Sequence, residues 1–188
     1  MTIRWHRGTG LLMLVLLHGC GVAREGERGR SSLRLVVDYS GSMLGCADEL
    51  RDELRRIHEA TSANVVVQII ESRDDPQLRR WPESPTERRR ITAQSLEKYL
   101  GDLLVDRGDA MDRAVSAAIA DRPTRIWIIS DGTFDNFDSV AAALKEAHAR
   151  DGTIVNITAV GDFNEAPARW KTLAKDCGGV YSERAPLP

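Results

Sequence analysis

Apolar, largely β-branched runs recur along the chain at residues 33–37, 65–70, 126–129 and 154–160, with a short one at 180–182. Near-continuous hydrophobicity marks strands covered on both faces, because a strand with one wet face would alternate apolar and polar positions. Between these runs the apolar spacing changes to three and four. Ala47, Leu50, Leu54 and Ile57 make one helical stripe, Leu96, Tyr99, Leu100 and Leu103 a second, and Met111, Ala114, Val115, Ala118 and Ile119 a third. Val140, Ala143, Leu144 and Ala147 continue the series, and Trp170, Leu173 and Ala174 mark a last helix before Gly178 and Gly179. Strands alternating with helices predict an α/β fold, a doubly wound, mostly parallel six-stranded sheet with helices on both faces. The extra strand is expected at the edge, over residues 77–81 between Pro76 and Pro82, where a missing backbone N–H is tolerated. Residues 71–90 otherwise show no period, and carry the run Arg88-Arg89-Arg90. Trp81, Trp127 and Trp170 read as packing groups.

The N-terminus has a different character. Arg4 and Arg7 precede an apolar run at 11–17, and Leu17-His18-Gly19-Cys20 follows, the layout of a secretory signal. The run is too short to span a bilayer as a helix. Leu-x-Gly-Cys resembles a bacterial lipobox, which implies a signal peptide over 1–19 and lipidation of Cys20. Simple cleavage after Gly21-Val22-Ala23 is the alternative, and both export the domain to the cell envelope, on the periplasmic or outer face. Residues 20–32, rich in Gly, Ser and charge, then form a flexible tether, 33–184 the domain and 185–188 a tail. Removing 1–19 leaves 24 basic against 28 acidic side chains, a charge of about −4, which gives no general attraction to nucleic acid or to anionic lipid. Cys46 is expected just past a strand's carboxyl end and Cys177 before the last strand at the opposite edge. A bridge needs α-carbons within about 7 Å, so no intramolecular disulfide is expected even in an oxidising compartment.

The segment Asp38-Tyr39-Ser40-Gly41-Ser42-Met43 lies between the first strand and the first helix. It brings one carboxylate and two hydroxyls, two residues apart, to the carboxyl edge of a sheet, where a hard cation finds oxygen ligands. Ser130-Asp131-Gly132 ends a later strand and supplies a second carboxylate to the same edge. Each piece alone also suits an ordinary turn or helix cap.

Taken in order, these motifs resemble the von Willebrand factor type A domain over roughly 33–184, with residues 173–181 resembling that family's last helix and strand. The resemblance implies a metal-ion-dependent adhesion site holding Mg²⁺ or Mn²⁺, with Ca²⁺ also admissible. Ser40 and Ser42 would ligate directly, and Asp38 and Asp131 would act through bound water and hydrogen bonds. An open coordination position would take a Glu or Asp side chain of a protein partner. One position departs: where the family has Gly-Thr before its central helix, this chain has Gly108-Asp109. A carboxylate at 109 still ligates a hard cation, but adds negative charge where the partner's ligand is also negative. The implied function is a membrane-anchored module mediating metal-dependent protein–protein interaction, not an enzyme.

Other readings stay open. A metal-dependent phosphoryl-transfer hydrolase could use Asp38 as nucleophile, as in phosphatases of the haloacid-dehalogenase type, but these carry a second Asp two residues on, where Ser40 stands. A structural domain with a degenerate metal site is the third. No Gly-rich loop for a nucleotide and no motif-placed Ser–His or Cys–His pair is present. His58 and His148 fall on separate helices without zinc spacing. Arg107-Gly108-Asp109 reads as part of the site rather than as a recognition tripeptide. Arg79, Arg80 and Arg88–Arg90 are expected to be solvated, a basic patch for an acidic partner being the alternative.

Overall fold

Six strands join into one sheet: β1 (Ser32–Val37), β2 (Val66–Glu71), β3 (Arg80–Glu87), β4 (Arg125–Ser130), β5 (Ile154–Val160) and β6 (Tyr181–Arg184). The computed structural model describes residues 30–73, 78–103, 110–132, 136–161 and 167–184. The order across the sheet is β3-β2-β1-β4-β5-β6. Every neighbouring pair is parallel except β2 with β3. The chain winds outward from β1 through β2 to β3, then returns to start again at β4. The strand order therefore reverses between β1 and β4, the place where doubly wound sheets hold ligands.

Helices cover both faces. On one face lie α1 (Ala47–Ala60) and α2 (Ala93–Gly101), on the other α3 (Met111–Ala120), α4 (Phe137–Asp151) and α5 (Pro167–Asp176). Leu50, Leu54 and Ile57 of α1 pack with Leu33, Leu35 and Val37 of β1. Val36, from the opposite face of β1, packs with Met111, Ala114 and Val115 of α3, and with Ile126 and Ile128 of β4. Burial on both faces explains why the central strands lack a period-two pattern. Trp81 stacks on Tyr99 with ring centroids 4.5 Å apart, and Trp170 meets Phe137 edge-on at 4.9 Å. Cys46 belongs to the α1-side core and Cys177 to the α5-side core, and among the described residues neither is joined in a disulfide.

The edge strand departs from expectation. It runs from Arg80 to Glu87, through Pro82 and Pro85, rather than ending before Pro82; its Trp81–Pro82 peptide is cis. An edge strand accepts proline because one side makes no ladder bonds. The pairing of β2 with β3 also shifts register between Val67 and Ile69. There the buried Gln68 amide donates to the carbonyls of Pro82 and Glu83, both at 3.0 Å, replacing the ladder bonds that proline interrupts.

Polar side chains lie within the strands as well. Arg34 of β1 is buried, and its guanidinium donates to Asp121 at the end of α3 at 3.0 Å. At the β5–β6 side of the α1 face, Glu53 accepts hydrogen bonds from Arg56, Thr158 and Arg184. Burial alone would raise the Glu53 carboxyl. The hydrogen bonds from Arg56 and Thr158, with the charges of Arg56 and Arg184, outweigh it and hold the group below the usual carboxylate range.

Candidate metal-binding edge

The loops after β1 and β4 meet at the point where strand order reverses. Asp38 follows β1 directly, and its N–H donates to Ile129 O of β4 at 2.9 Å, so the ladder extends one residue past the end of β1. Tyr39 then turns inward. Its ring is fully buried in the α1-side core beneath the Arg73 guanidinium, 4.8 Å from the ring centroid, and its N–H donates to Ser72 Oγ at 3.0 Å. Ser72 in turn donates its N–H to Val37 O, so the end of β2 braces the turn after β1. With Tyr39 and Met43 anchored in the core, Ser40 is held buried just beneath the edge and Ser42 is exposed on it. A 3-10 helix, Gly41–Cys46, carries the chain from there into α1.

The Asp38 carboxylate is oriented from both sides. Oδ1 accepts the Ser40 N–H at 2.8 Å, and Oδ2 accepts the Ser130 hydroxyl at 2.6 Å. Ser130 Oγ itself accepts the Gly132 N–H at 2.9 Å, an arrangement that Gly132 permits by taking φ of 89°. Ser40 Oγ and Ser42 Oγ share a hydrogen bond of 2.8 Å. Burial pushes the Asp38 carboxyl up to about 6, against the lowering effect of its bonds to Ser130 and Ser40, and the charge of Asp131 adds to the rise.

Of the residues singled out in the sequence, Asp38, Ser40, Ser42 and Asp131 thus come together. Asp109 lies outside the described residues, as does Cys20. Among the described residues no group of three or more His, Cys, Asp or Glu side chains is placed to hold a metal ion. The donors at this edge are two carboxylates and the three hydroxyls of Ser40, Ser42 and Ser130, all hard oxygens. That set fits Mg²⁺, Mn²⁺ or Ca²⁺ and not a thiolate- or imidazole-preferring metal. A buried carboxyl raised to about 6 beside a second carboxylate is also a group that a cation would relieve.

Ser130 and Ser72 are the positioning residues that the sequence reading did not single out as site residues. Ser130 carried a signal, its place in Ser130-Asp131-Gly132; Ser72 carried none, since its partner Tyr39 is distant in sequence.

No sequence-family model and no curated protein matches the chain. Solved structures do. An aerotolerance-related membrane protein from Bacteroides fragilis is 18% identical, with 82% of this chain aligned to 91% of that one at a TM-score of 0.63. A von Willebrand factor type A protein from Catenulispora acidiphila is 13% identical over 82% of this chain and 38% of its own, with a TM-score of 0.64. The manganese-loaded TRAP protein of Plasmodium vivax is 15% identical over 83% and 68%, with a TM-score of 0.58. At these identities the likeness is one of fold. No helix among the described residues is long and apolar enough to cross a membrane.

Proposed function

Starting from the von Willebrand factor type A fold that the chain adopts, we propose that it is an exported, membrane-anchored module that captures a protein partner through a divalent cation at the β1–β4 edge. The observation that carries this reading is the meeting of Asp38, Ser40, Ser42, Ser130 and Asp131 where the strand order reverses. Ser40 and Ser42 would hold Mg²⁺ or Mn²⁺ directly, with Asp38 and Asp131 orienting bound water and Asp109 standing where the fold family has Thr. The cation supplies a Lewis-acidic position for a carboxylate of the partner. The residues of this chain fix where that position lies: Ser130 and the Ser40 N–H aim Asp38, and Ser72 holds the turn down.

A binding role suits Asp38 better than a covalent one. The residue is only 2% exposed and both carboxylate oxygens accept hydrogen bonds, as expected of an orienting carboxylate rather than an attacking one. The fold is shared with adhesive proteins, among them a pilus adhesin from Lactobacillus rhamnosus. Lipidation of Cys20 would hold the module on a bacterial membrane, on the periplasmic or outer face.

Mn²⁺ titration followed by water-proton relaxation tests the site. Wild type should show a bound ion that Ser42→Ala weakens and Asp38→Ala removes; binding equal in all three would refute the assignment. Asp109→Thr, which removes one negative charge, should keep Mn²⁺ bound and increase Mn²⁺-dependent retention on immobilised poly-glutamate. Unchanged retention would place Asp109 outside the metal's surroundings.

A further inference from the structure

The edge opposite the candidate metal site carries the other charge. Because β3 is antiparallel, its last residue, Glu87, pairs with Val66 at the amino end of β2. Arg88, Arg89 and Arg90 turn at that point, with the N–H groups of Arg88 and Arg89 donating to Val65 O and Ala63 O and Arg88 Nε donating to Thr61 O. Arg30 reaches the same place from just before β1. Glu87 is the common partner: Arg30, Arg89 and Arg90 lie 3.5, 2.8 and 3.6 Å from its carboxylate. Those three arginine side chains are 68, 62 and 72% exposed while Glu87 is 13% exposed, so one sunken carboxylate faces three solvent-directed guanidiniums. Arg125, whose neighbour across the ladder is Leu33, and Arg122 in the turn before it are exposed at the same end of the sheet.

We propose that this amino-end edge rests on a bilayer and binds the phosphate groups of anionic lipid headgroups. Guanidinium forks match phosphate oxygens in shape as well as charge. The chain itself arrives here, since Arg30 is part of the patch. Arg24 and Arg28 precede it in the sequence. If residues 20–30 form the tether that their composition implies, its r.m.s. reach of about 18 Å would keep this edge close to the surface once Cys20 is acylated. That step rests on the anchored reading of the N-terminus. The acidic balance of the whole chain does not oppose docking. The candidate metal edge is about 20 Å away along β1, more than two Debye lengths at physiological salt. The domain would then stand with its metal edge pointing away from the membrane, toward a partner.

Residues 30–188, which contain every described element, provide the test without any lipid on the protein. The domain should co-sediment with phosphatidylcholine vesicles containing phosphatidylglycerol and not with phosphatidylcholine alone. Each surface arginine multiplies binding to an anionic membrane about fivefold, so Arg30→Gln/Arg89→Gln/Arg90→Gln should lower partitioning about a hundredfold, with the melting transition confirming a folded variant. Arg169→Gln/Lys171→Gln removes charge elsewhere and should bind like wild type. Equal sedimentation with both vesicle types, equal loss in the two variants, or tighter binding to duplex DNA than to vesicles at matched phosphate would overturn the proposal. The anchor is read separately, from fractionation of the full chain with Cys20→Ser. Vesicle binding by the domain beside a full chain that never reaches the membrane would sink the anchored reading and leave the lipid site standing.

Discussion

At Asp38 a carboxyl is held in a state that costs stability unless something compensates it. Its ordinary value is 3.8, and burial, aided by the charge of Asp131, moves it to about 6 in the folded chain. For a raised acid the sign is fixed: its stabilising contribution is fully present below pH 3.8 and is lost as pH rises through 6, a loss on the order of 3 kcal/mol. Asp38→Asn, which keeps the shape and removes the charge, should therefore melt higher than wild type at pH 8 in EDTA and lose any response to metal. A variant that melts lower in EDTA would mean that the charged form is already satisfied by Ser130 and Ser40. The donors Asp38, Ser40, Ser42 and Asp131 were legible in the sequence because they sit two apart, or beside a glycine, at the ends of apolar runs. The braces were not. Ser72 to Tyr39 and Ser130 to Asp38 are contacts across strands, and nothing local announces them.

Among the elements, the apolar runs located five of the six strands to within two residues, since burial on both faces leaves an unbroken signature. The edge strand β3 was misplaced by several residues. Its prolines broke the pattern, and the compensating Gln68 amide lies on a different strand. Charged residues inside elements were equally hidden: Arg34 sits in a strand because Asp121 receives it, and Glu53 sits in α1 because Arg56, Thr158 and Arg184 converge on it. Thr158 also accepts the Trp127 indole N–H at 2.9 Å and shares a hydrogen bond with Ser182, which ties α1 to β4, β5 and β6. Glu53→Ala should cost about 3 kcal/mol, the low end for breaking a buried pair, because Arg56 and Arg184 retain contact with water. Since the folded Glu53 is held below its ordinary 4.5, its contribution is present above that pH and is lost as pH falls through the folded value. The variant's urea midpoint should accordingly fall less than that of wild type between pH 6 and pH 4; parallel curves would show that the network carries little.

For the whole molecule, the strand order β3-β2-β1-β4-β5-β6 separates two edges of different charge. The carboxyl edge gathers Asp38 and Asp131 at the switch point, and the amino edge gathers Arg30, Arg89 and Arg90 where the chain enters. Alternation of strands and helices was sufficient to foresee the winding, whereas the charge of the amino edge depended on the course of β3. If the tether ends in a lipid, Cys20→Ser should move the full-length protein from the membrane fraction to the soluble fraction of cells; continued membrane association at high salt would mean another anchor. A divalent cation at the β1–β4 edge should reveal itself in thermal melting of residues 30–188 in EDTA and in millimolar Mg²⁺, Mn²⁺ or Ca²⁺, beside Asp38→Ala. A cation bound only by the folded state at a hundred times its dissociation constant stabilises by about 2.7 kcal/mol, a rise of several degrees in Tm for a domain of this size. Wild type should show that rise and the variant should lose it. Superimposable melts in EDTA and in all three metals would contradict a cation site at this edge.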